Sequence, residues 1–201
     1  VPGRRKFLRA PATELRHCVD VIQQAALLHP AVAFHVAHDD RVLLDLVARS
    51  KHEERIADLF GDRFRSTLLL AEGTSNAGKV LAFVSPTHLV FPSRDRIFLF
   101  VNGRPVQDRL LTAATLEAYR NALPRGRYPA VFLFLTVPAD TLDVNVHPAK
   151  REVRFRDSQL VFRLVKDCLS HALGGPRQAV DVGGQVMHSA SVHLTRVAEA
   201  E

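Results

Sequence analysis

Two runs, Ile97-Phe98-Leu99-Phe100-Val101 and Val131-Phe132-Leu133-Phe134-Leu135, are apolar at every position instead of alternating with polar residues. A strand of that kind has no face to give to water, so it belongs inside a sheet covered on both sides. Between the runs, Asp108 is suited to cap a helix in which Leu111, Ala114, Thr115, Ala118 and Ala122 share a face and which Pro124 ends. Strand, helix, strand over about forty residues predicts a βαβ unit and places the chain in the α/β class.

The rest of the pattern fits around that unit. From Pro11 to Leu28, Leu15, Cys18, Val19, Ile22 and Ala26 recur at three and four, the period of an amphipathic helix. Ala31–Val36 and Val42–Val47 are β-prone and separated by His38-Asp39-Asp40, which predicts a hairpin. A short helix is expected from His52 to Phe60, stopped by Gly61. Leu68–Ala71 and Val80–Val84 flank Gly73-Thr74-Ser75-Asn76-Ala77-Gly78, read as the reversal of a second hairpin. Asp157 or Ser158 opens a last helix whose Val161, Leu164, Val165, Cys168 and Ala172 form the buried stripe. The folded unit is therefore expected to cover 1–173, with 174–201, small and polar without a period, as a linker or tail.

Three features could carry chemistry. Gly73, Gly78 and Lys79 satisfy G-x-x-x-x-G-K, but Val80 stands where a magnesium-binding hydroxyl is required, and a strand follows where a P-loop needs a helix N-terminus. The hairpin reading is preferred. The string Asp143-Val144-Asn145-Val146-His147-Pro148-Ala149-Lys150-Arg151-Glu152-Val153-Arg154-Phe155 reads as strand, Pro-kinked loop, strand. Its acidic and histidine residues are too irregular for a metal-ligand pattern, so no metal site is expected; His147 reads as a loop anchor rather than a general base, and with no G-x-S-x-G elbow and no glycine-rich phosphate loop between strand and helix no catalytic residue is expected. Lys150 is a point charge on a flexible stem, suited to a terminal phosphate; on spacing alone a solvated lysine is the commoner reading. The third feature is clustered arginine, around Arg94–Arg109, Arg120–Arg127 and Arg151–Arg163, which either tracks a phosphate backbone or is a solvated basic surface.

Composition narrows the partners. Lys and Arg exceed Asp and Glu by six, favouring a polyanion, while the absence of Trp and the presence of only two Tyr leave base stacking poorly supported and backbone contact preferred. No apolar run reaches the roughly 18 residues of a membrane span, and no signal segment is evident, so the expectation is a cytoplasmic protein without a membrane partner. Cys18 and Cys168 form no C-x-x-C and are expected to be buried thiols. The start at Val1 in a charge-dense stretch suggests a piece of a longer protein.

Phe100-Val101-Asn102-Gly103-Arg104, then Asp108-Arg109-Leu110-Leu111, then Asp143-Val144-Asn145-Val146-His147-Pro148-Ala149-Lys150-Arg151-Glu152-Val153-Arg154-Phe155 resemble the MutL family of DNA mismatch repair proteins. Pro2-Gly3-Arg4-Arg5-Lys6-Phe7-Leu8 is similar to that family's P-A-R-x-K-F-L segment, with Gly3 for the usual Ala. The resemblance spans most of residues 1–173. It implies a ribosomal protein S5 domain 2-like fold, a sandwich of a mixed β-sheet with helices packed on it. The domain would be the transducer that follows a GHKL ATPase domain, whose catalytic glutamate, magnesium-binding asparagine and glycine-rich lid are not in this sequence.

By the same resemblance Lys150 contacts the ATP γ-phosphate, with Asn145, His147 and Pro148 supporting its loop. Arg109, and less strongly Arg104, contact double-stranded DNA; Gln107 stands where relatives often carry a basic residue. ATP and Mg2+ are implied only through the upstream domain of the same chain. The implied partners are a second copy or a paralogue and a MutS-like mismatch sensor, and the implied location is the nucleoid in a bacterium or the nucleus in a eukaryote. This segment would not be an enzyme on its own. The rivals are the transducer of another GHKL ATPase such as a type II topoisomerase, which should carry a different loop at His147-Pro148-Ala149-Lys150, and a stand-alone RNA-binding S5-like module.

Overall fold

The apolar runs become the middle of a five-stranded sheet. The computed structural model describes residues 10–143 and 153–174. Its main sheet contains β3 (Leu69–Ser75), β4 (Gly78–Val84), β5 (Ile97–Val101), β6 (Arg104–Val106) and β7 (Val131–Thr136) in the order β3-β4-β7-β5-β6. β5 and β7 pair in parallel and every other pair in the sheet is antiparallel, so the sheet is mixed. The helix α4 (Arg109–Ala118) supplies the crossover between the parallel strands, as the βαβ pattern requires. Pro105 sits on the edge strand β6, where a missing N–H costs no ladder bond.

The two faces of the sheet are chemically different. Val80, Ala82, Leu99, Val101, Val131, Leu133 and Leu135 lie in one core, with Leu111 and Ala114 of α4 and Val161, Val165 and Leu169 of α5 (Ser158–Ala172). Phe83, Phe100 and Phe132 belong to the other core, which takes in Leu27 of α1 (Pro11–Leu28), Ile56 of α2 (His52–Phe60) and Phe64 of α3 (Arg63–Thr67). The strands are apolar throughout yet alternate by size, aliphatic toward α4 and α5, aromatic toward α1–α3. Register neighbours stack across the parallel pair: Phe98 on Phe132 at 5.4 Å and Phe100 on Phe134 at 4.9 Å. Offset ring pairs of this kind add about 0.5–1.5 kcal/mol each beyond area burial.

Several expectations are corrected. Cys18 is exposed, not buried, because α1 reaches the core only near its C-terminal end, at Ala26 and Leu27. The strands β3 and β4 run into the glycine-rich stretch, leaving Asn76-Ala77 as the reversal. Gly73 is thus a strand residue, and a Cβ there would press on the Cys168 sulfur at 3.2 Å. The helix α4 stops at Ala118, so Ala122 lies beyond it. Leu169, absent from the predicted stripe, is fully buried. The helix α3 was not anticipated, since five residues are too short to show a period. The expected tail from residue 175 lies outside the described residues.

Buried polar groups complete the frame. The hairpin of β1 (Phe34–His38) and β2 (Arg41–Leu46) turns at Asp39 and Asp40, both with positive φ, and is tied to the body by a buried arginine. Arg55 Nη2 donates to the carbonyls of Pro30 at 2.8 Å and Val32 at 2.6 Å. Its Nη1 lies 3.7 Å from Asp58, which also holds Arg49 through two bonds of 2.8 Å. Desolvation holds the Arg55 pKa below its ordinary value, partly offset by Asp58. The Tyr119 hydroxyl donates to the Ser85 carbonyl at 2.6 Å, and burial pushes its pKa up.

Candidate functional site

The asparagine-glycine reversal between β5 and β6 is where the sequence-predicted residues begin to gather. Asn102 (φ 47°) and Gly103 (φ 72°) are consecutive left-handed residues, the conformation of a tight hairpin turn matched to strand twist. The Asn102 backbone N–H donates to the Leu135 carbonyl at 2.9 Å. Its side-chain Nδ2 donates to the Val137 carbonyl at 3.0 Å, and its Oδ1 accepts from the Val137 N–H at 2.9 Å. The side-chain amide thus continues the β5–β7 ladder past the end of both strands.

Arg104 follows this turn and is exposed. Three residues beyond β6's first proline, Asp108 caps α4, its Oδ1 accepting from the Leu111 N–H at 2.9 Å. Arg109 is the first residue of the helix and is exposed. A cation there gains nothing from the helix dipole, which favours acids at that end, whereas a phosphate would be attracted by both the guanidinium and the dipole. Neither Arg104 nor Arg109 has an ion-pair partner among the described residues.

The arginine clusters separate into two kinds. Arg94 stacks over Tyr128 at 4.9 Å and Arg96 over Phe91 at 4.3 Å, while Arg120 pairs with Glu117 at 2.9 Å. Arg96 is thereby partly buried, whereas Arg94 and Arg120 keep these local partners while remaining exposed. Arg125, Arg127, Arg154 and Arg163 are exposed, like Arg104 and Arg109, and have no ion-pair partner among the described residues. An open cleft of about 920 Å³ lies beside α1 and β5–β6; Arg16, Arg94, Arg96 and Arg104 line it together with Asp20 and Asp95. The mixture of signs gives it no clear preference for an anion.

Lys150, Asn145, His147 and Pro148 lie outside the described residues, but the base of their segment does not. Strand β7 leads through a 3-10 turn at Ala139–Thr141 into β8 (Leu142–Asp143), which pairs antiparallel with β9 (Arg154–Phe155). Leu142 faces Phe155 and Asp143 faces Arg154 in this two-residue ladder. Arg156 N–H donates to the Thr141 carbonyl at 2.9 Å, and Asp157 caps α5 by accepting from the Leu160 N–H at 2.9 Å. Val153 is buried. Both ends of the segment are therefore joined to the sheet and to α5.

The G-x-x-x-x-G-K match forms no phosphate cradle. Gly73 pairs with Val80 and Lys79 with Thr136 inside the sheet, so no helix follows the lysine. Among the described residues no group of three or more His, Cys, Asp or Glu could hold a metal ion, and no helix is long and apolar enough to cross a membrane. The Cys168 thiol is pushed up to about 12, chiefly by burial and then by Glu72, which makes it a poor nucleophile.

Sequence reasoning missed the Asn102–Val137 pair and the two polar residues that α2 turns inward, His52 and Arg55. His52 Nδ1 lies 3.1 Å from the Leu27 carbonyl, to which it donates, and its ring packs on Phe134 at 4.5 Å and Phe83 at 6.1 Å. A signal for the α2 residues was available: His52, Arg55, Ile56 and Leu59 recur at helical spacing, so His52 and Arg55 share the stripe of their apolar neighbours.

Comparison with known proteins agrees with this architecture. The family described as DNA mismatch repair protein, C-terminal domain, matches residues 56–174. The chain is 39% identical over 191 residues to DNA mismatch repair protein MutL of Neisseria meningitidis serogroup C, covering 93% of this chain and 29% of that protein. It is 41% identical over 203 residues to MutL of Paramagnetospirillum magneticum, covering 98% and 32%. Among solved structures, the N-terminal domain of a DNA repair protein matches with a TM-score of 0.70 at 25% identity over 87% of this chain and 58% of that one. The Aquifex aeolicus MutL ATPase domain complexed with ADP matches with a TM-score of 0.52 at 26% identity over 82% and 52%. The chain spans less than a third of the length of these curated relatives. With its S5 domain 2-like arrangement of a mixed sheet between helices, its asparagine-glycine turn and its β8–β9 stem, the chain belongs to the MutL family of DNA mismatch repair proteins.

Proposed function

We propose that this chain acts in DNA mismatch repair as a transducer domain over residues 1–173, with 174–201 a linker. In a longer protein it would be preceded by a GHKL ATPase domain that holds ATP and Mg2+, and the weak hydrolysis would belong to that domain. Lys150 supplies a positive charge to the terminal phosphate, with Asn145, His147 and Pro148 shaping its loop. Arg109, with Arg104, holds duplex DNA through its backbone, a contact that carries little sequence information and suits action at any mismatch. A second copy or paralogue and a MutS-like sensor complete the assembly.

The observation that carries this reading is the β8–β9 ladder. Leu142–Phe155 and Asp143–Arg154 tie both ends of the Lys150 segment to the body that also presents Arg109. A lysine so mounted would favour one orientation of the two domains when nucleotide is bound, by its differential affinity for that orientation.

The test is Lys150→Ala in the protein with its ATPase domain. ATP turnover should fall about tenfold or more, as expected for loss of one electrostatic stabiliser, while circular dichroism and Tm stay at the parent's values. Parent-like hydrolysis would overturn the assigned role.

A further inference from the structure

We infer that Asn102 is a positioning residue for the segment that carries Lys150, acting through its two hydrogen bonds to Val137. The inference rests on the proposed role of Lys150 and deepens it.

The turn alone does not explain the asparagine. A two-residue hairpin turn of this type requires positive φ at both positions, which Gly or Asp also provides at the first. Only a primary amide, however, offers a donor and an acceptor side by side. Here both are used on one backbone residue: Nδ2 on the Val137 carbonyl and Oδ1 on its N–H. Asp would lack the donor and set a carboxylate against the carbonyl; Gly would keep the turn and lose both bonds.

Val137 is the point where the sheet hands over to the stem. It follows the last residue of β7, and its side chain is buried with 5% exposure. Gly78 approaches so closely on the β4 side that a Cβ there would meet the Thr136 carbonyl and the Val137 side chain. Beyond Val137 there is little slack. Pro138 fixes its own φ, and its carbonyl accepts from the Thr141 N–H at 3.0 Å and the Thr141 hydroxyl at 2.7 Å. Strand β8 begins at the next residue. A shift at Val137 therefore moves the stem as a unit. The other arm, held by Arg156 and by the Asp157 cap, keeps the stem folded when Asn102 is changed, so the expected consequence is misorientation.

The experiment uses the full-length protein and a double-mutant cycle on ATP turnover. Asn102→Gly, which preserves the turn, and Asn102→Asp should each lower kcat/KM for ATP by about tenfold to a hundredfold, the range expected from misplacing a reacting partner by an ångström. In a Lys150→Ala background the same substitutions should have little further effect, because they act through Lys150. Tyr119→Phe, which removes a buried hydrogen bond away from the stem, serves as a stability control and should leave kcat/KM at the parent's value. If Lys150→Ala loses turnover but the Asn102 variants keep it, or lose it additively with Lys150→Ala, the positioning role is wrong while the Lys150 reading stands. If Lys150→Ala itself keeps turnover, both fall.

Discussion

His52 shows how one side chain can make this fold less stable as the pH falls. Its ring is packed on Phe83 and Phe134, and burial lowers its pKa more than the Leu27 carbonyl and Glu53 raise it. The folded state therefore prefers the neutral ring, whereas the unfolded chain takes up a proton near its ordinary value of about 6.5. Stability is fully present above that pH, and it declines as pH falls below it until the lower folded-state pKa is passed. Urea midpoints taken between pH 7 and pH 5 should fall more steeply for the parent than for His52→Asn, which keeps a donor for Leu27 and does not titrate; parallel slopes would contradict this. At this scale, legibility depended on whether a residue's partner was local. The Asp108 cap reaches Leu111, three residues away, and its sequence position announced it. The partner of Asn102 lies 35 residues along the chain, and no spacing rule joins them.

Elements were read well where their period was long and their surroundings regular. The helices Pro11–Leu28 and His52–Phe60 have the predicted bounds, because Pro11, Pro30 and Gly61 punctuate them. The second hairpin was read with too wide a turn, since glycine suggests a reversal while its use at 73 is close packing against α5. The two glycines of that hairpin should respond differently to alanine. Gly78 has φ 142° and no room for a Cβ beside the Thr136 carbonyl, so Gly78→Ala should destabilise by about 2 kcal/mol or more. Gly73 has no positive φ, and a Cβ there would sit 3.2–3.3 Å from Cys168 side-chain atoms, a milder clash than with a backbone oxygen, so Gly73→Ala should cost clearly less. Comparison of the two urea midpoints at unchanged m-value checks the ranking. The β8–β9 stem was legible only as a strand-loop-strand string, because two-residue strands owe their existence to what they pack on.

For the whole molecule, the excess of six positive charges says that an anion is favoured without saying where. The fold answers part of that by holding Arg55 and Arg96 against carbonyls and a ring, by giving the exposed Arg94 and Arg120 local partners, and by leaving Arg104 and Arg109, like other exposed arginines, unpaired among the described residues around one turn and helix start. If Arg109 meets a phosphate, Arg109→Glu should weaken duplex binding and reduce the slope of log K against log salt by about one. A salt titration indistinguishable from the parent's would remove Arg109 from the contact. The alternation of ring and aliphatic layers across the sheet has a consequence of its own. A strand greasy on both sides lacks the usual penalty against sliding one notch along its neighbour, since either registration buries it equally well. In β7 such a slip would thrust Phe132 and Phe134 into spaces fitted to valine and leucine and leave gaps where the rings had been. Side-chain volume, in place of polarity, thus works as the ratchet that holds the central strands in step.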